Sequence, residues 1–169
     1  MSESTKLFRC LATVASAAES ETDFAVLMIE AGKAVSGCLD SDYCIAVVLT
    51  QDQVQIFRPG SHESAAQVSS VTGITGVKLR NWTAELNGDV SIVSVEKSDQ
   101  LYSVLGVTAT DLEASLLVIR IPVLFGTGGL LVVSRKPMFS DLDIKLADSV
   151  KAIVSSACSR IGSEAQWQR

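Results

Sequence analysis

The sequence predicts an α+β domain, an antiparallel sheet flanked by helices that come from both ends of the chain. Three observations predict it. Two pairs of short apolar, β-branched runs, at 43–58 and 115–134, are each joined by turn-forming residues. Apolar residues recur at three- and four-residue intervals near both termini, as on one face of a helix. The chain of 169 residues is 47% hydrophobic and 20% charged, enough apolar material to offset the ordering entropy of one core without disulfide or metal staples. No internal repeat or composition break divides it, so residues 1–169 are read as one domain.

In chain order, Ser4 or Thr5 caps a first helix whose stripe is Leu7, Leu11, Val14 and Ala18. The polar run at 19–23 ends it. A second helix carries Phe24, Leu27, Met28, Ala31 and Val35 on one face and stops at Gly37 or the acidic cluster at 40–42. The run 43–49 shows almost no polar alternation, which predicts a central strand covered on both faces, and 54–58 returns from it as a hairpin. Residues 59–76, rich in Ser, Gly, Ala and Thr, are read as a mobile connection over a sheet edge. A short helical turn around 82–86, closed by Asn87 and Gly88, precedes an alternating strand at 89–95; a brief helix is expected at 101–105. Two buried strands, 115–124 and 129–134, pair through the link Phe125, Gly126, Thr127 and Gly128. Ser140 and Asp143 make a capping box for a long last helix with Leu146, Val150, Ile153, Ala157 and Ile161 on one face.

Composition excludes several classes of function. The formal net charge of -5 gives no broad positive field for a polyphosphate backbone or an anionic membrane, so no nucleic-acid or membrane partner is expected. No run is long and apolar enough for an export signal core or a membrane span, which points to a soluble, cytoplasmic protein. Cys10, Cys38, Cys44 and Cys158 are widely spaced in apolar stretches, as buried reduced thiols would be; a redox, iron-sulfur or metal role is the alternative. The one histidine, His62, lies in a polar stretch. There is no Ser-His-Asp or Cys-His arrangement, no phosphate-binding Gly-Lys-Ser loop and no His-Glu-x-x-His pair, so the chain is not expected to be an enzyme, and no metal ligands stand out.

The order helix, helix, hairpin, variable middle, hairpin, capped helix resembles that of GAF domains, and residues support it. The stretch 21–35 feeding the strand 44–49 looks like that family's second helix and first strand. The strand 116–124 with its Ile-Pro-Val-Leu end, the glycine-led strand 128–133, and Phe139-Ser-Asp-Leu-Asp143 resemble its closing hairpin and helix start. The resemblance spans about 7–162. It implies an α/β sandwich with a central antiparallel sheet of about five or six strands, terminal helices on one face, and loops and short helices roofing a small-molecule pocket on the other.

Within that frame the candidate ligand-binding residues are Arg80, Trp82, Tyr102 and Arg120; the aromatic pair would supply flat walls and the arginines would receive an anion. They could equally fill the cavity or sit in solvent. Arg120 stands in an otherwise apolar strand, where a cation needs either an acidic partner or an anionic ligand. The family's cyclic-nucleotide signature is kept only at Phe139 and Asp143. The middle-loop cysteines of its methionine sulfoxide reductase branch are absent, since no cysteine occurs between Gln51 and Ser155, and so is the Cys-His pair of its bilin-binding members. The resemblance implies a homodimer through the terminal helices, with Leu7, Leu11, Val14, Val150, Ile153 and Ala157 as candidate interface residues. The leading expectation is a sensory or regulatory domain that binds a small molecule or a signalling partner, as in a sensor histidine kinase. The alternatives are a ligand-free dimerisation module and a cysteine-based redox sensor. No cofactor is identified.

Overall fold

The computed structural model describes residues 2–41, 43–59, 67–70, 73–84, 86, 88–94, 115–124 and 126–167. Its elements are α1 (Glu3–Ser20), α2 (Phe24–Cys38), β1 (Tyr43–Leu49), β2 (Gln53–Phe57), β3 (Gln67–Ser70), α3 (Ile74–Ala84), β4 (Val90–Ser94), β5 (Ser115–Leu124), β6 (Thr127–Arg135) and α4 (Asp141–Trp167). All six strands form one antiparallel sheet in the order β3-β2-β1-β6-β5-β4. The first and last hairpins therefore meet in the middle, where β1 and β6 pair from Tyr43↔Ser134 to Leu49↔Gly128. The expected sandwich with an antiparallel sheet is what the chain forms.

Capping sets the helix ends. Ser2, not Ser4 or Thr5, caps α1: its Oγ accepts from Thr5 N at 3.2 Å. Asp23 caps α2 through Ala25 N at 2.9 Å. The capping box of α4 is reciprocal, with Ser140 N donating to Asp143 Oδ2 at 2.8 Å and Asp143 N to Ser140 Oγ at 3.2 Å.

The alternation of each strand splits the sheet into two faces. Cys44, Ala46, Val48, Leu117, Ile119, Ile121, Leu131 and Val133 point to the back, where they meet Leu27, Met28, Ala31 and Val35 of α2 and Leu146, Val150 and Val154 of α4. Each fully buried side chain of this kind is worth about 1.5–3 kcal/mol of transfer free energy. The helix α1 packs on α2 and α4 through Cys10, Val14 and Ala18. Gly129 keeps this interface tight, because a Cβ there would run into the Val47 carbonyl and come within 3.0 Å of the Met28 methyl.

Three elements differ from expectation. A sixth strand, β3, forms at the sheet edge inside the stretch read as a connection, pairing with β2 from Gln53↔Ser70 to Ile56↔Gln67. Four residues leave too little alternation to be seen in a Ser/Ala-rich context. The middle helix is longer than one turn, starting at Ile74, and the turn beyond it contains Gly88 at φ +134°. The last hairpin closes more tightly than expected, with β6 beginning at Thr127 and Gly126 at φ +79°. Pro122 sits at the bulge of β5 between Ile121 and Leu124, where a missing N–H costs no ladder bond. The helix expected at 101–105 lies outside the described residues.

Candidate functional site

The front of the sheet is a floor of apolar side chains: Ile45 and Val47 from β1, Val54 and Ile56 from β2, Leu116 and Val118 from β5, Leu130 and Val132 from β6. Over it lies α3, whose Leu79 is buried against this cluster. Tyr43, Leu49, Leu86 and Val93 form a partly buried rim. The floor itself is apolar and suits an apolar occupant, with the cations Arg58 and Arg120 at its ends. At one end of the floor the Arg58 guanidinium lies over the Tyr43 ring, 5.6 Å from its centroid.

The other end is held by an ionic junction. Arg120 donates through Nε and Nη2 to Asp89 Oδ1 at 3.0 and 2.9 Å, and through Nη1 to the Thr83 carbonyl in the last turn of α3 at 3.3 Å. The other carboxylate oxygen, Asp89 Oδ2, is 3.0 Å from Lys151 Nζ on α4. Hydrogen bonds from Lys151 and then Arg120 hold the Asp89 carboxyl below its ordinary range. Of the two options left open for Arg120, an acidic partner is the one the structure contains. Asp89 also draws the sheet edge in, since its carbonyl accepts from Arg120 N at 2.6 Å.

Arg80 and Trp82 fall on α3, with their side chains outside the described residues, and Tyr102 lies outside them altogether. Sequence reasoning missed Asp89, Lys151 and Arg58. Only Asp89, beside a glycine at a strand start, sat near a recognised signal.

The residues expected at a dimer interface divide. Val14 and Val150 are 0% exposed and Ala157 is 5% exposed, turned into the protomer's own core, which corrects the reading of them as interface residues: the stripe that periodicity reveals is the one facing the sheet. Leu7, Leu11 and Ile153 border the same core as partly buried residues. A groove between α1 and α4 is open to the surface along Ala15, Ala152, Ile153 and Ser156, closed at one end by Arg160. Arg160 Nη2 donates to the Ala18 and Glu21 carbonyls at 2.7 and 3.0 Å, a cation on the C-terminal end of α1.

A second arginine, Arg135, ties the helix layer together. It donates to the carbonyls of Pro137, Leu39 and Met138 at 3.1, 3.0 and 2.8 Å and to Asp143 Oδ2 at 2.7 Å, with its Cζ 4.5 Å from the Phe139 ring centroid. Phe139 and Asp143 thus take part in a structural clamp. All four cysteines are free and lie on the helical side of the sheet. Among the described residues no cluster of metal-ligating side chains occurs and no helix is long and apolar enough to cross a membrane.

An antiparallel sheet in this strand order, with terminal helices behind and a short helix over an apolar front, has the fold of GAF domains. No family model and no curated protein matches the chain. Solved structures do. The GAF domain of a phosphoenolpyruvate-protein phosphotransferase from Coxiella burnetii superimposes with a TM-score of 0.62 at 11% identity, covering 98% of this chain and 99% of that one. Free methionine-R-sulfoxide reductase from Neisseria meningitidis, solved in complex with its substrate, gives 0.63 at 13% identity over 98% and 95%. A phycocyanobilin-bound GAF domain from a cyanobacterial phytochrome gives 0.59 at 14% identity over 97% of each chain. The likeness is one of fold.

Proposed function

We propose that the protein is a regulatory sensor domain that takes a largely apolar small molecule between the front of the sheet and α3 and passes its occupancy to α1 and α4. The apolar floor under α3 carries this reading. One solved neighbour of the same fold is phycocyanobilin-bound and another is in complex with its substrate, which supports a ligand-binding reading. The reading is non-catalytic, because every cysteine lies behind the sheet and none borders the floor. Free, buried thiols suit a reducing compartment, the cytoplasm.

In this reading the terminal helices meet a second copy or an effector such as a histidine kinase along the open groove between α1 and α4. The small exposed side chains Ala152 and Ser156 would let two helices approach closely. Sedimentation should show a dimer that Ala152→Glu dissociates; a monomer at high protein concentration would remove this part.

Native and denaturing mass spectra of the purified protein test the ligand. A small mass present in the first and lost in the second is expected, and Val118→Phe, which fills the floor, should abolish it. No retained mass, together with no change of melting temperature across a panel of flat apolar compounds, would overturn the reading.

A further inference from the structure

Cys10 and Cys38 are distant in sequence, yet the antiparallel crossing of α1 over α2 brings both to one groove between the helices, close enough for each thiol to bear on the other's ionisation. The crossing is fixed near its end by the ion pair between Lys6 and Asp40 at 3.7 Å. Both cysteines line a groove between the two helices, bordered by Lys6, Arg9, Lys33 and Gly37. Nothing lies within 4 Å of where a Cβ on Gly37 would sit, so small solutes have an open approach beside Cys38. Cys10, at 4% exposure, is covered, whereas Cys38 is only partly buried. The other two thiols have carbonyl neighbours instead: Cys44 Sγ lies 3.6 Å from the Gly32 oxygen and Cys158 Sγ 3.3 Å from that of Thr127.

We propose that Cys10 and Cys38 are a peroxide-oxidisable dithiol in which Cys38 is oxidised first and Cys10 resolves it, leaving a disulfide that ties α1 to α2. The co-reactant is a hydroperoxide. The Cys38 thiolate attacks one peroxide oxygen, the O–O bond breaks, and Cys38 becomes a sulfenic acid while the departing oxygen leaves as water with the thiol's proton. The Cys10 sulfur then attacks that of Cys38. The S–S bond forms, the S–O bond breaks, and hydroxide departs with the Cys10 proton as a second water. The dithiol loses two hydrogen atoms in all, and one hydrogen peroxide becomes two waters. A dithiol reductant reverses the change.

The division of roles follows the surroundings. Burial pushes the Cys10 thiol up to about 12, which keeps it protonated until a sulfenic acid stands beside it. Cys38 is raised as well, by burial first and then by the Asp143 and Asp40 charges, while the neighbouring Cys10 thiol and the Lys6 charge act in the opposite direction. A pair with raised thiols reacts slowly, so it answers sustained rather than brief exposure to peroxide.

The test incubates the intact chain with hydrogen peroxide, caps remaining thiols with an alkylating agent under denaturing conditions, and maps peptides by mass. The expected product is a Cys10–Cys38 cross-linked peptide within one chain, with Cys44 and Cys158 alkylated; in a parallel sample reduced before capping, all four thiols are alkylated. In Cys10→Ser, Cys38 should stop at a sulfenic acid that dimedone traps. Recovery of all four thiols after prolonged excess peroxide would overturn the proposal. So would a Cys38 bridge between two chains, or oxidation of Cys44 or Cys158 at a comparable rate; the wild-type map decides this even if the variant fails to fold.

Discussion

Leu130 and Leu131 are adjacent on β6 and both 0% exposed, but they look into different environments. Leu131 faces the helix layer, where α2 and α4 cover the sheet with regular stripes and Arg135 and Arg160 bind carbonyl oxygens from neighbouring segments. Leu130 faces the front, where the described cover is one helix, α3. The back face, closed by periodic helices, is where the described packing is most continuous, and the front is the face on which the proposed ligand would sit.

Truncating the two leucines separates these roles most sharply. Leu131→Ala should cost roughly 3–5 kcal/mol in urea unfolding, because the rigid helix layer cannot collapse onto the void. Leu130→Ala should cost about 2 kcal/mol, at the low end for a buried leucine, if the single described helix over it can settle into the void. Equal losses would erase the proposed distinction. Next in size, Arg135→Ala should cost about 2–3 kcal/mol: it leaves Asp143 without its cation, at 14% side-chain exposure, and three carbonyls without their donor. Arg135→Lys should recover only part, because one ammonium cannot span the same four acceptors.

The smallest effect belongs to the junction between the faces. Asp89→Asn should cost about 1 kcal/mol or less, as expected for partly exposed ion pairs. Its pH dependence has a definite sign. The folded carboxyl titrates below its ordinary 3.8, so the stabilisation is complete above that pH and fades as pH falls through the folded value. Urea midpoints measured from neutral to strongly acidic pH should therefore show wild type and Asp89→Asn converging on the acid side. A constant gap would mean that Asp89 acts through shape and not charge.

Much of the back face was legible in the sequence. Helical spacing marked the apolar faces that α1, α2 and α4 bury, Val14, Leu27 and Val150 among them, and the Ser140/Asp143 pair marked the start of α4. The same periodicity misled for the dimer, because a stripe records what a helix buries and the helix had a sheet of its own to bury it against. The apolar runs of β1 and β5 marked strands covered on both faces. The strand β3 and the full length of α3 stayed hidden, since four residues in a Ser-rich run and a helix containing Thr75 and Gly76 carry little pattern. Juxtapositions such as Arg120 against Asp89, or Cys10 and Cys38 in one groove, join positions whose separation follows no period; only the chain's path reveals them.

Asp89 is one carboxylate shared between two layers, with Oδ1 engaged by β5 and Oδ2 by α4, while the same Arg120 grips the end of α3. Fraying of β4 at that corner thus unfastens the seams to both helices in one event. The corner should open as a cooperative unit, and amide exchange in the final turn of α3 and the middle of α4 should rise and fall together.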